Sequence, residues 1–331
     1  MKRSIQALLG AVLAATAPLL AAQPVKDAQW SAALKAKRYA DVRHSAAQRI
    51  AAKPDNLDAH AALIRAVLAT NDAALRRAAL QQAESCVERL PDAVVYHYGI
   101  DALLGAQALE VGMAKAALNA GCTRDAFIKA VALDPMLYAA QSGLVQFYLV
   151  APGLIGGSVS KAAEVARVAA ARLPEYAKLL QAQVALQRKD LAEAERLLAT
   201  VAVGGDEELG NDLAGAWAQV GIVHVSEQQP AKARPVFERL IKERPQYAIG
   251  DYGLARAHSD IGAWDSAIAL LERCATLEGA DRLPVDYRLG IALQSKGDRD
   301  KARSAHARYV AAGRGNPKFL DDAKKRLVDL Q

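Results

Sequence analysis

The composition of this 331-residue chain favours closely packed helices, because 52% of the residues are hydrophobic, only 5% are aromatic, and alanine is abundant. The sequence lacks β-branched runs with period-two alternation, so we predict an all-α protein. The formal net charge is +6, yet 42 basic residues are interspersed with 36 acidic ones. Nucleic-acid-binding proteins usually gather lysines and arginines into a stripe, and the mixed pattern argues against that class.

The first 22 residues have the layout of a secretory signal peptide. Lys2 and Arg3 precede an uncharged apolar run, residues 7–22, that ends in two alanines. We predict cleavage after Ala22, so that the mature chain begins at Gln23, is periplasmic or secreted, and has no stable membrane span. The alternative is an uncleaved anchor, for which the run is short, because a spanning helix needs about 20 apolar residues.

The rest of the chain is punctuated by prolines that predict the ends of helix hairpins. These are Pro54, Pro91, Pro135, Pro174, Pro245 and Pro317. Glycine loops at 204–206 and 279–281 divide the two longest intervals, so we expect about eight hairpins. The first six helices are predicted at residues 28–36, 41–52, 58–69, 73–90, 92–108 and 123–133, with glycines 99, 105 and 112 loosening this third hairpin.

The fourth hairpin contains an enlarged turn, residues 151–158, with the sequence Ala-Pro-Gly-Leu-Ile-Gly-Gly-Ser. Such an entry to a helix presents backbone N–H groups that can hold an anion, with Ser160 and Lys161 nearby. The spacing of a P-loop is missing. The alternative is a purely structural turn, in which a proline stop is followed by a Ser158 N-cap.

The histidines and cysteines form no pattern that holds a metal or a catalytic group. The six histidines lack H-x-x-x-H and H-E-x-x-H spacing, and the sequence contains no Gly-x-Ser-x-Gly or catalytic cysteine signature. We therefore predict no catalytic residue, no metal site and no cofactor. Cys274 is expected to be a small buried core residue. Cys86 and Cys122 are either free or bridged between neighbouring repeats.

The clearest unit is the stretch 217–245, which predicts two amphipathic helices joined by a turn at residues 228–230. Residues three and four apart share one face of each helix. They are Trp217, Val220, Gly221 and His224 in the first helix, and Ala233, Val236, Phe237 and Leu240 in the second. Trp217 begins the apolar face, so we expect Trp217→Ala to destabilise the fold by about 3 to 5 kcal/mol.

This unit recurs every 34 or 35 residues. The matching small residues are Gly221, Ala255 and Gly290 in first helices, and Ala233, Ala267 and Ala302 in second helices, followed four residues later by Phe237, Leu271 and His306. The pattern W-x2-[LV]-G-x2-[YH], with a later A-x3-F and a proline, resembles the tetratricopeptide repeat, best from 175 to 317. The turn at 151–158 is similar to an element of exported bacterial tetratricopeptide proteins without assigned activity.

The resemblance implies an α-solenoid of stacked antiparallel helix hairpins, with a TPR-like superhelical form. On this basis residues 1–22 are the signal peptide, 23–174 are degenerate hairpins, 175–316 are regular repeats and 317–331 are a C-terminal capping helix. The capping helix has Phe319 and Ala323 on an apolar side, with Asp322 and Arg326 on a polar side. A half-polar end helix of this kind stops the stacking.

The resemblance also implies that one face of the first helices lines a concave groove where ligands lie. The residues on this face are Tyr176, Gln183, Gln187, Tyr252, Arg256, Ser259, Tyr287 and Gln294. Tyrosine and arginine bind well at interfaces, so we predict that the face holds a protein or an extended peptide. Because the tyrosines avoid the apolar side, we expect Tyr252 and Tyr287 to be replaceable by alanine without loss of stability. A merely solvated surface is the alternative.

Together the patterns predict an exported, non-catalytic scaffold that binds a protein or an extended peptide and no nucleic acid. One alternative is a scaffold subunit of an envelope or secretion machine, recognised by its convex face. The other is an enzyme or an anion or phosphate carrier centred on the glycine-rich turn at residues 153–161.

Overall fold

The computed structural model describes residues 25–70, 72–111, 113–313 and 316–330, with residues 101, 105–111 and 113–119 described by their backbone alone. The signal peptide predicted over residues 1–22 lies outside these ranges. The described residues form seventeen α-helices and two short 3-10 helices. They contain no β-strand, and an isolated bridge joins Tyr247 to Glu278. The predicted all-α class is confirmed.

Two compact units divide the described chain between Leu209 and Gly210. The first unit contains five hairpins, and a 3-10 helix at Gly153–Ile155 lies in the fourth. The helices are α1 (Ala28–Lys35), α2 (Tyr39–Ala52), α3 (Leu57–Leu68), α4 (Ala73–Arg89), α5 (Val94–Val111), α6 (Met113–Leu133), α7 (Tyr138–Val150), α8 (Val159–Ala169), α9 (Pro174–Gln187) and α10 (Leu191–Ala199).

The second unit contains most of the next helix and the six helices that follow it. These are α11 (Glu207–Ser226), α12 (Pro230–Glu243), α13 (Ala248–Asp260), α14 (Trp264–Cys274), α15 (Val285–Lys296), α16 (Arg299–Ala312) and α17 (Pro317–Asp329), with a 3-10 helix at Ala280–Arg282. Paired in order, the described helices α1 to α16 make the eight predicted hairpins, and α17 follows alone. The predicted change from degenerate to regular repeats at residue 175 stays a prediction, because the division between the two compact units falls at a different place, within α11.

The third hairpin departs most from its predicted bounds. Its second helix, α6, begins at Met113, ten residues before the predicted start at 123. Residues 113–122 include four alanines and no proline, and alanine is the strongest helix former, which accounts for the extra turns. Gly99 does not loosen α5, because a methyl group added there would come within 2.5 Å of the Ile64 side chain. This glycine serves close packing between α3 and α5.

The first helices of the hairpins lie on the tighter side of each unit. In residues 25–209 each of α1, α3, α5, α7 and α9 contacts the next in that series, and α13 contacts α15 in residues 210–330. No two neighbouring second helices pack as closely within the described ranges. Each stack therefore curves toward its first helices, as repeat stacks with unequal sides do. We call the surface that these helices form the first-helix face.

Glycines on first helices receive bulky side chains from second helices. The ring of Phe237 is fully buried, and methyl groups added at Gly221 and Gly253 would come within 2.6 and 2.0 Å of it. The imidazole of His306 packs in the same way on Gly290. The prediction that small residues at Gly221 and Gly290 allow close helix approach is confirmed.

A second contact joins the two helices within each hairpin of residues 210–330. An arginine stands 22 residues after its partner in the pairs Trp217–Arg239, Asp251–Arg273 and Asp286–Arg308. The first arginine places its guanidinium 5.5 Å from the centre of the indole ring. The other two donate from Nε to carboxylates at 2.7 and 2.9 Å. Trp217 is half-buried against the core, which confirms its predicted packing role.

The turn at 151–158 is a tightly capped connection. Gly156 has a φ of 102°, which favours glycine, and a methyl group at Gly157 would lie 1.7 Å from the carbonyl oxygen of Ala151. The N–H groups of Gly156, Gly157 and Ser158 all donate to carbonyls of α7 or of the turn itself. Ser158 Oγ accepts from the N–H of Lys161 at 3.3 Å. The predicted N-cap is confirmed. The N–H groups of Gly156, Gly157 and Ser158 are already used, so they are not available to bind an anion.

All three cysteines are free. Cys274 is fully buried in the core of the second unit, as predicted, and burial raises the pKa of its thiol to about 12. Cys86 is buried and Cys122 is exposed. The bridge between these two that the sequence left open is not formed.

Candidate functional site on the first-helix face

Within the described ranges, no cluster of His, Cys, Asp or Glu side chains could hold a metal ion, and no helix is long and apolar enough to cross a membrane. A cleft of about 710 Å³ lies on the first hairpin. Its aromatic residue, Trp30, is buried and donates from Nε1 to Ser45 Oγ at 2.9 Å, so the cleft offers no unpaired indole donor. The first-helix face remains the candidate site.

The eight predicted site residues all lie on first helices, but two of them are not on an accessible surface. Tyr252 of α13 and Tyr287 of α15 are each 6% exposed and belong to the core. The prediction that these tyrosines avoid the packed face is wrong, because neighbouring first helices pack side by side. A side chain a third of a turn away from its own hairpin core then meets the next hairpin. The expectation that Tyr252 and Tyr287 can both be replaced by alanine without loss of stability is wrong for the same reason, because both rings are buried.

Helix α17 covers the end of the predicted face. The ring of Tyr287 stacks on Phe319 with 4.7 Å between centres and 14° between planes, and its hydroxyl donates to Asp322 at 2.9 Å. Arg326 donates from Nη1 to Gln294 Oε1 at 2.9 Å. Asp322 and Arg326, which the sequence assigns to the solvent side of the capping helix, therefore face α15. Tyr287 and Gln294 hold the end helix in place.

The predicted residues of α9 are also used for packing within residues 25–209. The ring of Tyr176 lies 4.2 Å from that of Tyr138, and its hydroxyl donates to Asp206 at 3.1 Å. Gln187 donates from Nε2 to a backbone carbonyl of α7 at 3.0 Å. Gln183 is half-buried. These contacts hold α9 against its neighbours, so its predicted side chains do not form a row of groups available to a ligand.

Arg256 is the predicted residue best placed to meet a ligand. Its side chain is partly exposed on α13, and no ion pair or hydrogen bond to its guanidinium is found within the described part of the chain. Ser259, almost one turn further on, donates its hydroxyl to the carbonyl of Ala255 at 2.9 Å. Arg256 is thus the charged donor that the surrounding helices leave available.

Two charged residues beside Arg256 were missed by sequence reasoning. Arg288 of α15 lies over the rings of Tyr287 and Phe319, 5.5 and 5.4 Å from their centres, and its Nε is buried with no partner among the described residues. Asp260 ends α13 and is exposed. The signal for Arg288 is its position directly after Tyr287. The repeat period identifies the tyrosine alone as a residue of this face. An arginine side chain is nevertheless long enough to reach round the helix to the same face.

The electrostatics of this group are unbalanced. Burial lowers the pKa of Arg256, and the nearby Arg288 lowers it further. Burial raises the pKa of Asp260 against the opposing influence of the two arginines. Among the described residues none of the three forms a salt bridge, and although burial opposes it, the Tyr252 side chain, which hydrogen-bonds Arg288, helps to raise the pKa of that arginine. Two guanidinium groups and one carboxylate thus leave a local excess of positive charge.

Helix hairpins stacked through glycine contacts define the class of this protein as an α-helical repeat protein. A family model of the tetratricopeptide repeat matches residues 224–275, which run from the end of α11 into the residue after α14. Residues 224–275 therefore carry a tetratricopeptide repeat, as the sequence predicted. No curated protein sequence matches it.

Several solved structures share the fold. Yeast Tom70 superposes with a TM-score of 0.62 at 12% identity, covering 93% of this chain and 62% of that one. A chain of the APC/C hetero-tetramer Cut9-Hcn1 gives 0.51 at 17%, covering 90% and 55%. A tetratricopeptide repeat protein from Parabacteroides merdae gives 0.52 at 12%, covering 88% and 98%. The chain thus spans little more than half the length of the first two, and at these identities the likeness concerns the fold alone.

Proposed function

We propose that the chain is a non-catalytic scaffold that binds a protein or an extended peptide through the first-helix face of residues 210–330. The tetratricopeptide fold is that of a protein-interaction scaffold, and we assign the binding surface to the first-helix face. The observation that supports it is Arg256, a partly exposed arginine with which no described residue hydrogen-bonds or pairs directly, on a face whose tyrosines are packed. Arginine is among the residues that contribute most to binding at interfaces.

A photo-crosslinking amino acid tests the place of binding. It should replace Ser259 on α13 in one variant and Arg234 on α12 in the control, because Arg234 is 51% exposed on a second helix of the same unit. We expect crosslinked protein from the Ser259 position and none from the Arg234 position. Nuclease treatment should leave the crosslinks unchanged, since the proposed partner is not a nucleic acid. Crosslinks from Arg234 alone would favour the alternative, a scaffold recognised by its convex face.

Export to the periplasm or the medium is part of the proposal. Its support is the pair Lys2 and Arg3 before the apolar run at 7–22. N-terminal sequencing of the protein from the exported fraction should find Gln23 as the first residue. Detection of Met1 on that protein would contradict signal cleavage.

A further inference from the structure

We infer that two neighbouring helix turns of the first unit form a docking surface for an anionic lipid bilayer. The first is the enlarged turn at 151–158 with the helix ends that flank it, and the second joins α9 to α10 at residues 188–190. The last residue of α9 holds them together, because Gln187 donates from Nε2 to the carbonyl of Leu149 at 3.0 Å. We call residues 150–161 and 188–190 the turn edge. They take no part in the peptide binding proposed for residues 210–330.

The apolar part of the turn edge is exposed although the turn itself is rigid. The Leu154 side chain is fully exposed, and that of Val150, at the end of α7, is 52% exposed. The turn is seated on the helices beneath it, since a methyl group added at Gly156 would lie 3.2 Å from Arg124 Nη1 and 3.7 Å from the Phe147 ring. An aliphatic side chain that reaches no core contributes little to folding. The turn therefore fixes an apolar tip that is available to another surface.

The basic part of the turn edge consists of three exposed side chains that have no ion pair within the described ranges. Lys161 lies in the first turn of α8, with its Nζ 5.8 Å from the centre of the Tyr148 ring. Arg188 and Lys189 follow directly after α9. Basic side chains of this kind are attracted to the negative surface of a bilayer.

The carboxylates that follow these basic residues in the sequence are already engaged. Glu164 accepts from Arg167 Nη2 at 2.6 Å. Glu193 likewise accepts from Arg196 Nε at 2.6 Å. Asp190 caps α10 by accepting from the N–H of Glu193 at 3.1 Å. The turn edge therefore keeps an excess of positive charge beside its apolar tip.

This combination favours a bilayer over a protein or a nucleic acid. Leucine and valine are under-represented among the residues that dominate protein interfaces, whereas aliphatic side chains flanked by basic ones enter the boundary between lipid headgroups and acyl chains. Single-stranded nucleic acids stack on open aromatic rings, but Tyr148 is buried. A single phosphate finds no cradle, because the N–H groups of Gly156, Gly157 and Ser158 donate within the protein. The turn edge thus recognises a surface of many anionic headgroups.

Co-sedimentation with vesicles tests the inference on the protein purified from the exported fraction. Vesicles of equal parts phosphatidylglycerol and phosphatidylcholine should bind the protein, and vesicles of phosphatidylcholine alone should bind it far less. We expect Leu154→Ser to weaken binding about tenfold, because the tip no longer buries a leucine. Val168→Ser is the matched control and should have no effect, because Val168 is 51% exposed at the far end of α8. Changing both Arg188 and Lys189 to glutamine should cost about twentyfold, since each basic residue near such a surface contributes about fivefold.

A fluorescent dye reports the contact at the turn itself. An environment-sensitive dye is attached to Leu154→Cys or, as the control, to Val168→Cys. Both are made in a Cys122→Ser background, because Cys86 and Cys274 are buried. Anionic vesicles should shift the emission at position 154 to the blue and leave that at position 168 unchanged.

Four results would overturn the inference. They are absence of vesicle binding, equal binding to neutral vesicles, equal losses in the Leu154→Ser and Val168→Ser variants, and an unshifted emission at position 154. A protein crosslinked at position 154, in place of vesicle binding, would reassign the turn edge to a protein partner. None of these results bears on the peptide binding proposed for residues 210–330, which the crosslinks from Ser259 test separately.

Discussion

Phe127 in the first unit and Phe237 in the second make the same contact in regions that the sequence pattern treats differently. Each ring packs on the glycine 16 residues later, in the next first helix, where an added methyl group would come within 2.1 Å at Gly143 and 2.0 Å at Gly253. The family model nevertheless matches residues 224–275 and not the earlier pair. The packing rule thus extends beyond the part of the chain in which the repeat pattern can be recognised.

The difference lies in what surrounds the contact. Phe237 also fills the space beside Gly221 of its own hairpin and is completely buried, whereas Phe127 meets one glycine among those whose side-chain surroundings are described and is 9% exposed. Helix α6, which carries Phe127, is 21 residues long, against 14 for α12. The longer helix and the enlarged turn at 151–158 disturb the 34-residue spacing while leaving the ring in its place.

Truncating the two phenylalanines should separate the regions most clearly. Phe237→Ala removes a ring that fills two helix contacts, so we expect a loss of about 4 to 5 kcal/mol in the free energy of unfolding, with about 3 kcal/mol for Phe127→Ala. Urea unfolding followed by circular dichroism measures both. In a repeat protein each loss should be felt mainly by neighbouring hairpins. Equal losses would show that the second glycine contact of Phe237 adds nothing.

The arginine contacts provide a comparison within the second unit. The Asp251 side chain is 1% exposed, so Arg273→Ala leaves a buried carboxylate unpaired and should cost about 3 kcal/mol. The Asp286 side chain is 37% exposed, so Arg308→Ala should cost about 1 kcal/mol or less. Thermal unfolding of the two variants at neutral pH checks the order. A larger loss for Arg308→Ala would contradict the role assigned to burial.

Acid should affect the two units differently through His306 and His60. His306 is fully buried, and neither ring nitrogen has a partner among the described residues; burial lowers its pKa, as does Arg326, against Asp322. Burial also lowers the pKa of His60, but there Nε2 contacts the carbonyl of Pro54 at 2.8 Å, which opposes the shift.

Because the folded protein binds these protons less readily than the unfolded chain, the stability is intact above about pH 6.5 and falls as the pH drops below it. For one histidine the slope cannot exceed about 1.4 kcal/mol per pH unit. We expect His306→Phe to flatten the pH dependence of unfolding between about pH 6.5 and 5 more than His60→Phe does. A larger effect of His60→Phe would contradict the importance of the unpartnered ring.

The sequence predicted the helices well because their ends are marked by local signals. Pro174, Pro230 and Pro317 each begin a helix, and Asp27, Asn56 and Asp72 accept N-cap hydrogen bonds. The site was harder, because periodicity tells which residues leave their own core and not what covers them next. Tyr287 is covered by α17, and the important neighbour of Arg256 is a residue of another hairpin, Arg288.

Hydrogen exchange of the full chain, with and without a saturating concentration of a peptide selected from a random library for binding to the chain, tests the central claim most directly. We expect slower exchange in α13 and α15, which carry Arg256 and Arg288, and unchanged exchange in the second helices α12 and α14. The protection should be absent in Arg256→Gln and unaltered in Arg234→Gln. Protection confined to α12 and α14, or equal protection in the Arg256→Gln variant, would contradict binding at the first-helix face.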